Sequence, residues 1–187
     1  MGLFEFLMVL VSVVIGLGLT EILTGGANLL RARESVRFHW IHVLFQFGIF
    51  FALLQQWWES WDWVGLEEIS FLAVLTLLAS PVFLYLIAHL LFPSPVENAD
   101  LKSYYYRQAP LLWGLVAAGT IVGNLFRPLA WGHPVFDPSN LSGIPTVAIC
   151  VVLAASRNSR AHSILAPILI LLLILDTLLS GSVISVG

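Results

Sequence analysis

Cysteine is almost missing from this sequence. Cys150 is the only one among 187 residues, and it lies within an apolar run. An intramolecular disulfide and a thiolate metal cluster both need a second cysteine, so the sequence excludes both. We therefore interpret Cys150 as a small buried apolar side chain.

Charged residues are also scarce. They make up 10% of the chain, whereas soluble domains carry about 25%. The hydrophobic fraction is 59% and the mean hydropathy is +0.94. Eight scattered lysines and arginines do not form the basic face of a nucleic-acid-binding protein. The composition predicts an all-α integral membrane protein, with residues 1–187 forming one polytopic domain.

Catalytic motifs are missing as well. The sequence contains neither HExxH nor GxSxG, and it places no paired aspartates in facing spans. Both motifs position a nucleophile, a base or a metal for hydrolysis. Their absence favours a protein that is not an enzyme.

Long apolar runs are plentiful. A membrane-spanning helix needs about 20 such residues. A short sixth segment carries Pro145 and either spans a thinned bilayer or re-enters it. The predicted spans are residues 3–30, 39–58, 69–92, 110–127, 141–156 and 163–184.

Loop charges decide the topology, because cytoplasmic loops collect lysine and arginine. If all six segments span, seven of the eight basic residues fall on one side, and only Arg127 lies on the other. We therefore predict six spans with both termini outside, in a bacterial-type cytoplasmic (inner) membrane. The seven are Arg31, Arg33, Arg37, Lys102, Arg107, Arg157 and Arg160.

Polar side chains inside the first three spans are the most informative feature, since ionisable groups there are costly and usually functional. Gly18, Glu21, Gly25 and Asn28 share one face of the first helix. Glu21 is expected about 13 Å deep, level with Gln46 and deeper than the histidines of spans two and three. These depths allow a Glu21–Gln46 hydrogen bond. The predicted proton- or cation-handling cluster comprises Glu21, Asn28, His42, Gln46 and His89.

Two further patterns concern packing. Arg127 and Asp176 lie in the outer halves of the fourth and sixth spans, and we predict a structural ion pair, because a buried charge needs a partner. Gly119 and Gly123 form a GxxxG pattern that marks close helix packing. Together with the glycines of the first span, this pattern suggests a homo-oligomer or a partner membrane subunit.

Tryptophans gather at the outer end of the second span: Trp57, Trp58, Trp61 and Trp63. Such rings favour the headgroup region, so we predict an aromatic belt. A quaternary-ammonium cage is the alternative interpretation. The outer loops are also acidic, which concentrates cations locally, although positive-inside sorting alone leaves acids there.

Three functions compete. The first is handling of protons or a small cation, as a channel or transporter, because carboxylate and histidine charge states are tuned by burial. The second is a non-catalytic accessory, sensory or structural membrane subunit. The third is binding of haem b between His42 and His89; otherwise no cofactor is expected.

One external turn carries His133 and Asp137. Two ligands in a proline-rich turn are too few for a metal site. We interpret them as turn residues.

Overall fold

The computed structural model describes residues 2–64, 68–132, 134 and 143–180. Within these ranges the regular structure is helical, apart from one isolated bridge. Five helical segments are long and apolar enough to cross a membrane, as predicted for an all-α integral membrane protein. The helices are α1 (Leu3–Arg31), α2 (Trp40–Glu59), a 3-10 helix (Ser60–Trp63), α3 (Phe71–Leu90), α4 (Leu101–Gly123), α5 (Phe126–Trp131), α6 (Gly143–Ala155) and α7 (Ser159–Ser180).

Helix α4 begins earlier than predicted, at Leu101 rather than at residue 110. The Asp100 carboxylate accepts hydrogen bonds from the backbone N–H groups of Lys102 (3.0 Å) and Ser103 (3.3 Å). An aspartate in this position caps the helix and starts it before the apolar run. The segment that we expected to be a loop is therefore the first part of α4.

Helix α6 is short, as its sequence suggested. Its 13 residues span about 20 Å at 1.5 Å per residue, less than a hydrocarbon core of about 30 Å. It nevertheless runs between the two ends of the bundle. A Cβ on Gly143 would overlap Asn124, whereas the Ser156 carbonyl, just beyond Ala155, bonds the His162 ring. A full membrane crossing of this segment stays a prediction.

The basic segments lie together at one end of the bundle. The Arg37 N–H donates to the Ala99 carbonyl (2.9 Å). This bond joins the segment between α1 and α2 to the segment between α3 and α4. The Tyr106 hydroxyl donates to Ser159 Oγ (3.1 Å). This bond joins the first part of α4 to the beginning of α7. We call this the basic end and the opposite end, where α2 passes into the 3-10 helix, the tryptophan end. The predicted placement of the basic end in the cytoplasm is untested.

Small residues allow the helices to approach closely within the chain. Gly18 and Gly25 of α1 are buried, as predicted, and a Cβ on Gly25 would overlap the Phe92 ring. A Cβ on Gly119 would lie 3.0 Å from Phe83 Cβ on α3. These glycines therefore pack inside one chain and do not argue for an oligomer.

Candidate functional site

A cavity of about 790 Å³ occupies the tryptophan-end half of the bundle. Small-molecule sites have volumes of about 300–1,000 Å³, so this one has the size of a ligand site rather than a packing defect. The lining includes exposed residues at the helix ends, such as Trp61 and Trp131, and the cavity therefore opens at that end. Helices α2–α7 and the 3-10 helix all contribute to its wall.

The polar part of the wall centres on two neighbouring glutamines near the end of α2. Gln55 Nε2 donates to Glu59 Oε1 at 2.6 Å. Gln56 Oε1 accepts from the Ser80 hydroxyl of α3 at 2.7 Å. Gln55 is only 8% exposed, and its Oε1 has no hydrogen-bond partner among the described residues. A buried acceptor left unsatisfied costs free energy, and this oxygen has almost no accessible surface.

Three charged side chains line the cavity: Glu59, Arg127 and Asp176. All three are exposed, so the charges belong to its open part. Arg127 and Asp176 border the same space, as the predicted ion pair requires. The pair itself stays a prediction, and the wall carries one more acid than base.

Tryptophans form much of the rest of the wall. The tryptophans of the predicted aromatic belt fall into two groups, one outside the cavity and one lining it. Trp57 is 40% exposed and lies outside the cavity, as a belt residue does. Trp63 is only 5% exposed and packs edge-on against Phe126 at 5.7 Å, so the belt interpretation is wrong for this ring. The cavity wall includes Trp58, Trp61, Trp63, Trp113 and Trp131. Aromatic faces attract cations, so these rings favour the alternative interpretation of the cluster as a quaternary-ammonium cage.

An aromatic layer closes the cavity towards the basic end. Phe45 and Trp113 stack at 4.4 Å and line its floor. Beneath them the Trp113 indole N–H donates to the Tyr105 hydroxyl (3.1 Å). Tyr105 lies 2.9 Å from His162 Nδ1, and His162 Nε2 lies 2.8 Å from the Ser156 carbonyl. A carbonyl only accepts, so Nε2 carries the proton and Nδ1 accepts from Tyr105.

The predicted cluster on helices α1–α3 is not assembled as expected. Glu21 Oε1 lies 3.3 Å from His89 Nδ1, and the two side chains are 36% and 60% exposed. Glu21 therefore lies level with His89 and pairs with it, so the predicted greater depth and the Glu21–Gln46 bond are wrong. The physical reason is the close approach of α1 to α3 at Gly18, where a Cβ would lie 3.6 Å from the Tyr85 Cα of α3. On α3, the rings of Tyr85 and His89 stack at 6.3 Å.

The other members of that cluster have separate surroundings. His42 has no exposed surface and contacts the rings of Tyr104 and Tyr105. Gln46 is half-buried, and its Nε2 has no hydrogen-bond partner in the described part of the chain. Asn28 is half-buried on α1. None of the five predicted residues lines the cavity.

The two residues of the haem hypothesis have different surroundings. His42 is enclosed by tyrosines while His89 is largely exposed beside Glu21, so the two do not present a shared open face to haem. In the described ranges, no three His, Cys, Asp or Glu side chains lie close enough together to hold a metal ion. His133 and Asp137 lie outside the described residues.

His39 and Asp100, which lie just before α2 and α4 at the basic end, have shifted pKa values. Burial lowers the pKa of His39; the nearby Lys102 charge adds to this shift, and the Asp100 carboxylate opposes it. Hydrogen bonds hold the pKa of Asp100 below its ordinary value, chiefly the bond from the Ser103 backbone N–H.

Sequence reasoning missed the two most informative polar residues. Gln55 was not among the predicted residues, and the only signal in the sequence is Glu59, one helical turn later. His162 was not among the predicted residues either, and it has no exposed surface. Comparisons with protein-family models, curated proteins and solved structures find no match to this chain. The chemistry of the site therefore rests on its own residues.

Proposed function

We propose that this protein binds a small cation in the cavity at the tryptophan end. The observation that carries the proposal is the wall itself, which combines the carboxylates of Glu59 and Asp176 with the side chains of tryptophans. Each of these groups attracts positive charge. Among the described residues of the wall, Arg127 is the one base beside two acids. This moves cation handling from the Glu21 region, where the sequence suggested it, to the cavity.

Among the described residues, the cavity is closed towards the basic end. Its floor at Phe45 and Trp113 is backed by the fully buried Tyr105 and His162. A carrier that exposes its site alternately to each side has this arrangement in one of its states. We therefore propose transport or conduction across a bacterial-type inner membrane, with the tryptophan end outside, as the positive-inside rule suggests.

A direct binding experiment tests the proposal. The purified protein in lipid nanodiscs is titrated calorimetrically with benzylammonium, benzyltrimethylammonium and potassium, and with neutral benzyl alcohol and anionic benzoate as controls. We expect saturable binding of at least one cation, and at least tenfold weaker binding of the neutral and anionic controls. Equal binding of benzyl alcohol, or no saturable cation binding, would refute the proposal. Flux into proteoliposomes then tests transport.

A second candidate function is that of a non-catalytic membrane subunit. It is favoured by the Glu21–His89 pair, which lies on the outside of the bundle between α1 and α3. Polar groups facing lipid are costly, and a neighbouring helix would cover them. Mass photometry in nanodiscs separates the two states: a dimer that dissociates in Glu21→Gln would support this function, and a monomer would oppose self-association.

A further inference from the structure

A shallow groove runs along the outer face of α2 at the basic end. Its lining is mostly apolar and consists of Phe38, His39, Trp40, Val43, Leu44 and Phe47. The four helical positions are spaced three or four residues apart and therefore share one face. Phe38, Trp40 and Phe47 each expose half of their surface or more, so a molecule outside the bundle can reach them. None of the six residues lines the cavity at the tryptophan end.

Two exposed cations lie at the mouth of this groove. Arg37 directly precedes the groove residue Phe38. The Leu101 N–H donates to the Arg37 carbonyl at 3.0 Å, which holds the start of α4 beside this segment. Lys102 follows at once, and its charge acts on the groove residue His39. The side chains of Arg37 and Lys102 are both exposed, so they can contact a ligand.

The acid nearest to these cations is already engaged. The Asp100 carboxylate accepts from the backbone N–H groups of Lys102 (3.0 Å) and Ser103 (3.3 Å) and from the Ser103 hydroxyl (3.2 Å). In the described part of the chain, the basic end carries seven basic residues against three acids, Glu34, Glu97 and Asp100. The groove therefore opens at an end with an excess of positive charge, which favours an anionic ligand.

The groove also has the direction of a membrane lipid. Helix α2 is long and apolar enough to cross a membrane, and it begins at Trp40. Tryptophan rings favour the headgroup region, so Trp40 marks that level. Phe47 lies seven residues further along, about 10 Å deeper at 1.5 Å per residue. The groove thus leads from two cations at headgroup level into the hydrocarbon region.

We propose that this groove binds an anionic phospholipid. Its phosphate headgroup contacts Arg37 and Lys102, and one acyl chain lies against Trp40, Val43 and Phe47. Basic pockets beside membrane-spanning helices bind anionic headgroups in this way. A zwitterionic lipid carries a cation of its own that Arg37 and Lys102 repel, so it binds more weakly. The site is separate from the cavity and does not depend on the function proposed above.

Native mass spectrometry of the full chain in a neutral detergent tests the headgroup contact. The protein is titrated with phosphatidylglycerol and phosphatidylcholine that carry the same palmitoyl and oleoyl chains. We expect the first phosphatidylglycerol to bind at least tenfold more tightly, which is about 1.4 kcal/mol. Arg37→Gln with Lys102→Gln should abolish this preference. The control, Arg31→Gln with Arg33→Gln, removes the same charge at the same end from residues that do not line the groove, and it should keep the preference.

A second pair of variants tests the acyl-chain contact. Val43→Trp fills the groove, whereas Val13→Trp adds the same ring at an exposed position of α1. We expect Val43→Trp to weaken phosphatidylglycerol at least fivefold and Val13→Trp to change it less than twofold. Glycerol 3-phosphate, which has the phosphate without the chains, should not compete. Thermal unfolding checks that the variants are folded.

Several results would overturn the proposal. Equal binding of the two lipids to the wild-type protein would exclude recognition of the anionic headgroup. Equal weakening by the two double variants would show that the lipid follows the overall charge of this end and has no site at the groove. Competition by glycerol 3-phosphate, or unchanged affinity in a folded Val43→Trp, would show that the groove does not hold the acyl chain.

Discussion

Removing the Tyr105 hydroxyl should destabilise the bundle measurably. In Tyr105→Phe, the Trp113 indole N–H and His162 Nδ1 both lose their bonds to that oxygen, at 3.1 and 2.9 Å. All three side chains have no exposed surface, so water does not replace the hydroxyl. A buried polar group left unsatisfied costs about 1–3 kcal/mol, whereas side-chain hydrogen bonds in membrane bundles average about 0.6 and reach about 1.7 kcal/mol.

Two lost bonds therefore correspond to about 1–3 kcal/mol. For a chain of this size, each kcal/mol lowers the melting temperature by about 2–4 °C, so we expect a decrease of about 5 °C. Thermal unfolding in detergent, followed by tryptophan fluorescence and near-ultraviolet circular dichroism, measures it.

The matched control is Tyr106→Phe, because the Tyr106 hydroxyl bonds only the exposed Ser159. Its loss should cost less than about 0.6 kcal/mol. Equal melting temperatures for the two variants would refute the role assigned to the Trp113–Tyr105–His162 chain, as would stabilisation by Tyr105→Phe.

Three further predictions follow from single positions. Gly25→Ala should destabilise by about 1–3 kcal/mol through overlap with Phe92, whereas Gly26→Ala, which meets nothing within 4 Å, should stabilise by about 0.5–1 kcal/mol; thermal unfolding of both variants checks the signs. Because the pKa of His39 is lowered in the folded protein, the unfolded chain binds this proton more readily, and the stability present above pH 6.5 is lost as the pH falls below that value. The loss of stability at low pH should be smaller in His39→Gln. Identical pH profiles for the variant and the wild type would contradict this prediction. Glu21→Gln should leave benzylammonium affinity unchanged within about twofold and cost less than about 1 kcal/mol, because the His89 pair is exposed; a tenfold loss of affinity would return Glu21 to the site.

The helical architecture could be predicted from the sequence, because the length of an apolar run and the charge of a loop are local properties. The polar contacts between helices could not be predicted in this way, because they depend on which helices pack together. Glu21 was assigned to Gln46 from its distance along α1, and the actual neighbour, His89, follows from the packing of α1 against α3. Tyr105 was placed in a loop for lack of an apolar run, although Asp100 caps the helix that carries it.

The cavity was the least predictable feature. Its wall draws on six α-helices and the 3-10 helix, and no periodicity in one helix reveals such a space. Gln55 shows the difficulty: in the sequence it is one of two adjacent glutamines beside a tryptophan pair, and only the hydrogen bond to Glu59 and the burial of Oε1 distinguish it. The tryptophan cluster, by contrast, was visible in the sequence, and several of its rings line the cavity.

The most direct test of cation binding in this cavity compares two charge-matched double variants. Glu59→Gln with Asp176→Asn removes both acids of the wall, whereas Glu5→Gln with Glu68→Gln removes two exposed acids that do not line it. Calorimetric titration in nanodiscs should show benzylammonium affinity at least tenfold weaker in the first variant and within threefold of wild type in the second. Equal affinities in both variants and in the wild type would contradict the account, because the cation would then bind elsewhere.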